Sequence, residues 1–257
     1  MRYSFLAIAV VLLTGLFHFT AAQTMPFRTY SIENGLSESV IHSMIQDERG
    51  FIWLGTGFGL NRFDGVQFRK WYEEDGLPNN RVNALRQTRD GKIWLGTDAG
   101  LAYLDNDSIY SPPSFEPVAE SVVLSIYEDS DGSVWIATEG SGLWKYEMSG
   151  TFTNVSNEHG YRNMMARAVV QDANGVIWVG TSEGLFSYDG SSFKKYRHSD
   201  GIPEVPVNEM KVNSKGELWM ATGAGLMVLS SDRTDIFDTA AGLNDGRLHS
   251  LSFKKEG

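Results

Sequence analysis

The chain has 257 residues, a formal net charge of −10 and no cysteine. The acidic balance argues against a nucleic-acid partner, because nucleic-acid binding needs a positively charged surface. The lack of cysteine excludes disulfide bonds, thiol chemistry and zinc–thiolate sites.

Residues 1–22 predict a secretory signal peptide. Arg2 gives the N-terminus a positive charge, an apolar run follows at residues 6–17, and small residues at 20–22 precede an expected cleavage before Gln23. The apolar run is short for a membrane-spanning helix, which needs about 20 residues. We therefore expect an exported protein, with an uncleaved membrane anchor as the alternative.

Residues 27–36 resemble the end of a repeat that lacks its beginning. Their sequence, FRTYSIENGL, is similar to FRKWYEEDGL at residues 68–77. A lone strand here would complete the far end of a ring of repeats and so remove an exposed sheet edge.

The main body of the chain contains five copies of one unit. Each copy carries the pattern Gly-x-x-Trp-x-Gly/Ala-Thr, with the tryptophan at Trp53, Trp94, Trp135, Trp178 and Trp219. The intervals between these tryptophans are 41, 41, 43 and 41 residues. A fixed period of this length is typical of repeat folds.

Each unit predicts four short antiparallel strands. In the second copy, apolar runs begin at Val82 and Ile93, and Asp90-Gly91 between them suggests a type I′ hairpin turn. Asp64-Gly65 and Asp189-Gly190 separate apolar runs in other copies in the same way. Four strands per unit indicate a propeller blade, and no long run has the apolar spacing of a helical repeat. We predict an all-β fold, a β-propeller of about five complete four-stranded blades plus partial ends, which is an incomplete ring.

The repeated tryptophans are predicted to be core residues rather than ligand-stacking residues. Two positions after each tryptophan stands a glycine or alanine, namely Gly55, Gly96, Ala137, Gly180 and Ala221. So small a residue suits a site where a large side chain of the neighbouring blade presses on the backbone. We expect a tryptophan to be that large partner.

The C-terminal residues 248–257 match the first strand and turn of a further unit, with Gly257 in the position of Gly50. We therefore expect the chain to be a fragment of a longer protein. The expected domains are the signal peptide at 1–22 and a propeller at 23–257 that is truncated within a blade.

The repeats resemble the two-component regulator propeller family. The shared phrases are Asp-x-x-Gly-x-Ile-Trp-Leu-Gly-Thr-x-x-Gly-Leu, Tyr/Phe-Asp-Gly-x-x-Phe and Gly-Leu-Pro/Ser, which recur in register over nearly all of residues 27–257. The resemblance implies the periplasmic sensor region of a bacterial hybrid two-component system or sensor histidine kinase. It also implies a longer parent protein with an immunoglobulin-like domain, a transmembrane helix and a cytoplasmic kinase or other output domain.

The same resemblance implies a small-molecule or oligosaccharide ligand, such as a breakdown product of a polysaccharide, and a signalling homodimer. It implies signal input rather than catalysis by this chain, and no cofactor. One alternative is a secreted propeller that acts as a protein-interaction scaffold. Another is a glycan-cleaving or lyase propeller, but the Asp box of sialidases places Asp two residues before Gly. Here the aspartates lie three residues before the glycine, at Asp47, Asp129 and Asp172.

A mostly polar column is predicted at the start of the innermost strands. Eight residues before each turn glycine stand His42, Asn83, Leu124, Arg167, Asn208 and His249, and ten residues before it stand Arg81 and Arg247 in two of the copies. The column between these two is apolar. The loop that enters the innermost strand and the loop that joins the second and third strands are expected on this same face.

The candidate ligand-binding residues are therefore His42, Arg81, Asn83, Arg167, Asn208, Arg247 and His249. Imidazole, guanidinium and amide groups at a channel mouth would bind an oligosaccharide or an anionic group by hydrogen bonds. The alternative is that they tie adjacent blades together or face solvent. Two histidines without a carboxylate column do not indicate a metal site. Residues 129–132 are compatible with a calcium site, and the alternative is a polar hairpin turn.

Overall fold

The structure is a computed structural model that describes residues 27–161, 164–231 and 233–253. The chain forms two compact units, residues 1–30 and 31–257. In the first unit the described residues 27–30 have no regular secondary structure, and the Arg28 guanidinium carbon lies 5.1 Å from the ring centre of Tyr30. The predicted signal peptide and Gly257 lie outside the described residues.

The strand expected within residues 27–36 is not formed. The second unit instead begins with a 3₁₀-helix at Ile32–Asn34. The Asn34 side chain accepts a hydrogen bond from the Ser31 backbone N at 2.9 Å, and Ser31 Oγ accepts from the Glu33 backbone N at 3.2 Å. The same kind of capped 3₁₀-helix at Glu73–Asp75 follows a strand at Phe68–Trp71, so the helix itself does not prevent a strand. The counterpart of that strand, residues 27–30, pairs with no strand among the described residues.

The described residues of the second unit form five sheets, each of four antiparallel strands in sequence order. Blade 1 contains β1 (Ile41–Gln46), β2 (Ile52–Thr56), β3 (Gly59–Phe63) and β4 (Phe68–Trp71). Blade 2 contains β5 (Val82–Gln87), β6 (Ile93–Thr97), β7 (Gly100–Asp105) and β8 (Ser108–Tyr110). Blade 3 contains β9 (Val122–Glu128), β10 (Val134–Glu139), β11 (Gly142–Tyr146) and β12 (Phe152–Asn154). Blade 4 contains β13 (Ala166–Gln171), β14 (Ile177–Thr181), β15 (Gly184–Tyr188) and β16 (Phe193–Lys195). Blade 5 contains β17 (Val207–Val212), β18 (Leu218–Thr222), β19 (Gly225–Leu229) and β20 (Thr234–Phe237).

Short helices lie in the connections between blades. Three are 3₁₀-helices, at Glu73–Asp75, Pro113–Val118 and His198–Asp200. One is a single α-helical turn, α1 (Val155–Glu158), whose first backbone groups are capped by the Asn154 side chain. Each of them joins the fourth strand of one blade to the first strand of the next.

The predicted type I′ turn at Asp90-Gly91 is wrong. A type I′ turn needs positive φ at both central residues. Gly91 has φ 84°, but among the described residues the non-glycine positions with positive φ are Asn106 (47°) and Asp107 (66°). Since Gly91 N donates to Thr88 O at 2.8 Å, the β5–β6 turn is longer than two residues, and Asn106-Asp107 provides the type I′ geometry in blade 2.

Neighbouring blades pack through their first strands, which lie side by side in the order β1, β5, β9, β13 and β17. The buried core is divided into clusters that each join two adjacent blades. Trp53, Trp94 and Trp135 are buried, whereas Trp178 and Trp219 are half-buried. The predicted all-β incomplete propeller is therefore confirmed, and the prediction of core tryptophans is confirmed for Trp53, Trp94 and Trp135.

The small residue after each tryptophan does accommodate a neighbouring blade, but the expected partner is wrong. A Cβ added to Gly96 would lie 2.5 Å from Val123 Cγ1, and one added to Gly180 would lie 2.7 Å from Val207 Cγ1. The close partner is thus a valine at the start of the next blade's first strand. The tryptophan lies two residues before the small residue, on the same face of its strand, and packs into the same interface. Between blades 3 and 4 the pair is alanine with alanine, Ala137 and Ala166, in one cluster.

Residues 248–253 pack against blade 5, where the first strand of a further blade would lie. The backbone N of Leu248 donates to Thr222 O at 2.9 Å. The rings of Trp219 and Phe253 meet edge-on with centres 5.6 Å apart. The segment has the position predicted for it, although it forms no strand as far as residue 253.

Candidate functional site

Two sets of loops meet on one face of the blades, as predicted. The backbone N of Gly59, between β2 and β3, donates to Asn80 O in the connection to blade 2, at 2.6 Å. The equivalent bond from Gly100 N to Ser121 O measures 2.9 Å. We call this surface the loop face; it consists of the β2–β3-type loops and the connections between blades.

The predicted polar column occupies a β-bulge in every blade. In blade 1, Ile41 pairs with Thr56 and Ser43 pairs with Gly55, so His42 between them has no partner. The same irregularity leaves one residue unpaired in each later blade, namely Asn83, Leu124, Arg167 and Asn208. A bulge turns its side chain away from the regular alternation of the strand. The bulge therefore explains why polar residues are accommodated beside a fully apolar column.

The first polar group lies where the connection from blade 1 enters blade 2. Arg81 Nε donates to Asn83 Oδ1 at 3.2 Å, and Asn83 Nδ2 donates to Asp98 Oδ1 at 2.8 Å. Arg81 Nε also lies 3.7 Å from Asp98 Oδ1. The backbone N of Arg81 donates to Asn79 Oδ1 at 2.9 Å, which fixes the start of the strand.

His42 lies at the edge of this group. Partial burial lowers the pKa of His42, and the nearby positive charge of Arg81 lowers it further, while Glu38 and Asp98 oppose the shift. A neutral imidazole carries one donor and one acceptor nitrogen. The side chain can therefore both donate to and accept from a bound polar molecule at neutral pH.

Asp98 belongs to this group but was missed in the sequence. It follows Thr97 at the end of β6, in the loop that shares a face with the connection before β5. The sequence does predict that the loop between β6 and β7 shares a face with the connection before β5. Residue 98 in that loop could therefore have been placed near residues 81 and 83. Because of this carboxylate, the polar group contains both a positive and a negative charge.

The second polar group ties blades together. Arg167 Nη1 donates to Asn208 Oδ1 at 3.2 Å across the boundary of blades 4 and 5, and Asn208 Nδ2 donates to Leu248 O at 2.8 Å. Arg167 Nε is buried and has no hydrogen-bond partner among the described residues. Both the oxygen and the nitrogen of the Asn208 amide thus hold neighbouring segments together. This is the alternative role predicted for the column, that of tying adjacent blades together.

Arg247 and His249 are exposed on the segment that follows blade 5. Arg247 uses its backbone N, which donates to Asp245 Oδ1 at 2.9 Å, in the same way as Arg81 with Asn79. Within the described part of the chain, neither side chain forms a hydrogen bond to another member of the column. Leu124 separates the two polar groups with an apolar side chain.

The aspartates on the opposite face are structural. The Oδ2 atoms of Asp47, Asp129 and Asp172 accept hydrogen bonds from the indole Nε1 of Trp53, Trp135 and Trp178 at 2.9, 2.8 and 3.0 Å. The other oxygen of Asp129, Oδ1, accepts from the backbone N of Asp131 and of Ser133, both at 2.9 Å. This geometry is that of a polar hairpin turn. Among the described residues, no group of three or more histidine or carboxylate side chains could hold a metal ion.

The family model described as "Two component regulator propeller" matches residues 35–58, 76–99, 117–140 and 160–183. Each matched segment runs from a connection between blades, through a first strand, to the loop between the second and third strands. It therefore includes one bulge and both components of the loop face.

Several solved structures are similar to this chain. The extracellular domain of a hybrid two-component system from B. thetaiotaomicron is 26% identical, with a TM-score of 0.76 over 88% of this chain and 32% of that chain. The extracellular domain of a one-component system from the same organism is 21% identical, with a TM-score of 0.65 over 86% of this chain and 31% of that chain. The chain thus spans about a third of the length of these two structures.

A catalytically inactive variant of virginiamycin B lyase from Staphylococcus aureus is 11% identical, with a TM-score of 0.68 over 88% of this chain and 78% of that chain. The lyase and the one-component system show the fold alone. No curated protein matches the chain. The described residues include no helix with the length and hydrophobicity that crossing a membrane requires. Four segments of the chain thus match the two-component regulator propeller repeat, and the fold is similar to that of the extracellular domain of a hybrid two-component system.

Proposed function

We propose that this chain is the ligand-sensing input module of a two-component sensor histidine kinase, exported to the periplasm by its N-terminal signal peptide. The repeat family and the extracellular domain that is 26% identical support an extracytoplasmic sensor propeller. Its role is signal input rather than catalysis. The kinase, an immunoglobulin-like domain and a membrane anchor would belong to the longer parent protein.

The ligand-binding part of the proposal depends on the polar group between blades 1 and 2. Arg81 and Asp98 are exposed or half-exposed, with side-chain exposures of 50% and 40%, so a ligand can reach both. With His42 and Asn83 they offer a charged donor, a charged acceptor and two groups that donate and accept. A ligand with many hydroxyl groups, such as an oligosaccharide, would satisfy this mixture.

Signalling would follow from a difference in affinity. A ligand shifts a conformational equilibrium only as far as it binds one state more tightly than the other. In a homodimer of the parent protein, a ligand on the loop face would favour one arrangement of the two propellers. That arrangement would set the state of the kinase across the membrane.

Calorimetric titration of the protein with a panel of oligosaccharides tests the proposal. A hydrogen bond to a charged group contributes about 1.5–3 kcal/mol, so Arg81→Ala should weaken a bound oligosaccharide about 10- to 100-fold. His42→Ala should weaken it about 2- to 10-fold, because a neutral hydrogen bond contributes about 0.5–1.5 kcal/mol. Arg167→Ala should have a smaller effect, since its guanidinium is bonded to Asn208.

Arg233→Ala is the matched control, because Arg233 is 70% exposed and pairs with Asp235 between β19 and β20. If both Arg81→Ala and His42→Ala leave the affinity unchanged, the oligosaccharide does not bind at the polar group between blades 1 and 2. The full coding sequence of the parent tests the kinase assignment independently. A membrane span followed by a kinase core supports it, and a secreted protein without either would favour the interaction scaffold.

A further inference from the structure

The segment that leads into blade 4 departs from the segments that lead into the other four blades. Before blades 1, 2, 3 and 5 the equivalent residue of the repeat is aliphatic and at most 4% exposed: Leu36, Leu77, Val118 and Ile202. In the connection from blade 3 to blade 4 this position is Tyr161, which is only half-buried. A phenol is larger than the aliphatic side chain that fills this site elsewhere. The repeat is therefore broken at one point of the loop face.

A pocket of about 350 Å³ lies at that point. Its walls include Tyr161, Met164, Met165, Ser182, Glu183 and Phe186. Sites for small organic molecules in proteins have volumes of roughly 300–1,000 Å³. The pocket thus has room for a single ring with a short substituent.

Two aromatic rings and two methionines form the apolar part of the wall. The ring centres of Tyr161 and Phe186 are 5.4 Å apart, in an edge-to-face arrangement. The backbone N of Tyr161 donates to Ser156 O at 2.7 Å, which ties Tyr161 to α1, and Met164 N donates to Tyr161 O at 3.2 Å. Methionine side chains adapt to irregular apolar groups and make favourable contacts with aromatic rings.

The charge at the pocket mouth is negative. Lys195 Nζ lies 3.6 Å from Glu183 Oε2 and 3.0 Å from Glu204 Oε2, so one ammonium group faces two carboxylates. The Glu183 side chain is 78% exposed. Lys195 Nζ also lies 5.7 Å from the ring centre of Phe186, which shows that this ring already faces a cation. An aromatic face with an excess carboxylate attracts organic cations.

We propose that this pocket binds a small aromatic ammonium compound, with its ring against the edge-to-face pair of Tyr161 and Phe186 and its ammonium group toward Glu183. The site shares no residue with the polar group between blades 1 and 2, so it goes beyond the proposed sensing of a hydroxyl-rich ligand. The protein's net charge of −10 also favours the approach of a cation.

Titration with three compounds of similar shape tests the proposal. The probes are 2-phenylethylammonium, the neutral 2-phenylethanol and the anionic phenylacetate, followed by ligand-detected NMR and calorimetry. The ammonium compound should bind about 3- to 10-fold more tightly than the alcohol and more tightly still than the acid, because cation–π contacts and the carboxylate act on it alone. Equal affinity for all three, or no binding of the ammonium compound, would overturn the proposal.

Two variants locate the site. Tyr161→Leu restores the aliphatic residue class found before the other four blades, so the fold should be retained while the affinity for 2-phenylethylammonium falls about tenfold. Glu183→Gln should remove the preference for the ammonium compound over the alcohol. Glu116→Gln, at an exposed position of the preceding connection, is the control. It should change neither the affinity for 2-phenylethylammonium nor the preference for this compound over the alcohol. An unchanged affinity in Tyr161→Leu with an unchanged melting temperature would place the binding elsewhere.

Arg81→Ala separates this inference from the proposed function. Arg81 lies in the connection between blades 1 and 2, away from Tyr161 in the connection between blades 3 and 4. The variant should leave the binding of 2-phenylethylammonium unchanged even if it abolishes oligosaccharide binding. Loss of both ligands in this one variant would contradict a separate pocket.

Discussion

The first strands of blades 1 and 2 have the same pattern but very different exposure. In β5, Val82 is 0% and Leu85 is 8% exposed, whereas the equivalent residues of β1, Ile41 and Met44, are 46% and 65% exposed. β5 packs against blade 1, and the described residues place no blade on the corresponding side of β1. The burial of a first strand is therefore supplied by its neighbour, as expected for a repeat fold in which each unit contacts the next.

The largest expected difference concerns the fourth position of the two strands, Met44 in β1 and Leu85 in β5. Leu85→Ala should lower the free energy of unfolding by about 2–5 kcal/mol, because it leaves a cavity between blades 1 and 2. Met44→Ala should change it by less than about 0.5 kcal/mol, since the side chain is mostly in water. Denaturation in urea measures both, and equal losses would contradict the comparison.

A smaller effect is expected from a methyl group added between blades 2 and 3. Gly96→Ala should cost about 1–3 kcal/mol, because its Cβ would lie 2.5 Å from Val123 Cγ1. Gly96→Ala combined with Val123→Ala reproduces the alanine pair found between blades 3 and 4 and should recover most of the loss. A double mutant no more stable than Gly96→Ala alone would show that the cost has another origin.

The glutamines at the ends of β1 and β5 give a third contrast. Gln87 Oε1 accepts from the backbone N of Glu48 in blade 1 at 3.0 Å, while Gln46 Nε2 donates to Gly50 O of its own turn at 3.2 Å. Gln87→Ala should cost about 0.5–1.5 kcal/mol, and Gln46→Ala should cost less because no bond between blades is lost. Chemical denaturation of the two variants tests the order.

The smallest effect is expected at an exposed turn. Hydrogen bonds from the backbone N and Oγ of Ser191, and from the backbone N of Ser192, lower the pKa of Asp189 from 3.8 to about 2. Since the folded value is the lower one, the stabilising contribution is present above pH 4 and is lost as the pH falls through about 2. NMR titration should give a pKa near 2, and Asp189→Asn should remove this part of the acid dependence; a normal pKa would contradict the turn geometry.

The blades could be predicted from the sequence because their signals are local. The predicted runs beginning at Val82 and Ile93 are the strands β5 and β6. The valine that presses on Gly96 could not be identified, because that contact joins residues 27 positions apart in different blades. The turn at Asp90-Gly91 was mispredicted because residues 88 and 92 also pair across it.

The candidate site was predicted only in part. The polar column at residue 42 and its equivalents was found from the repeat register, and the structure explains it by a bulge that sequence alone does not reveal. The bond from Arg167 to Asn208 depends on the angle between two blades, which no local pattern encodes. The pocket beside Tyr161 had a signal that was overlooked, since an aromatic residue replaces an aliphatic one at a repeated position.

Amide hydrogen exchange of the intact chain tests most directly whether neighbouring blades supply the stability of each first strand. The backbone amides of β1 should exchange faster than those of β5 and β9, which are covered by the preceding blade. Slow exchange in β1, equal to that in β5, would show that a blade is stable without its neighbour and would contradict the account.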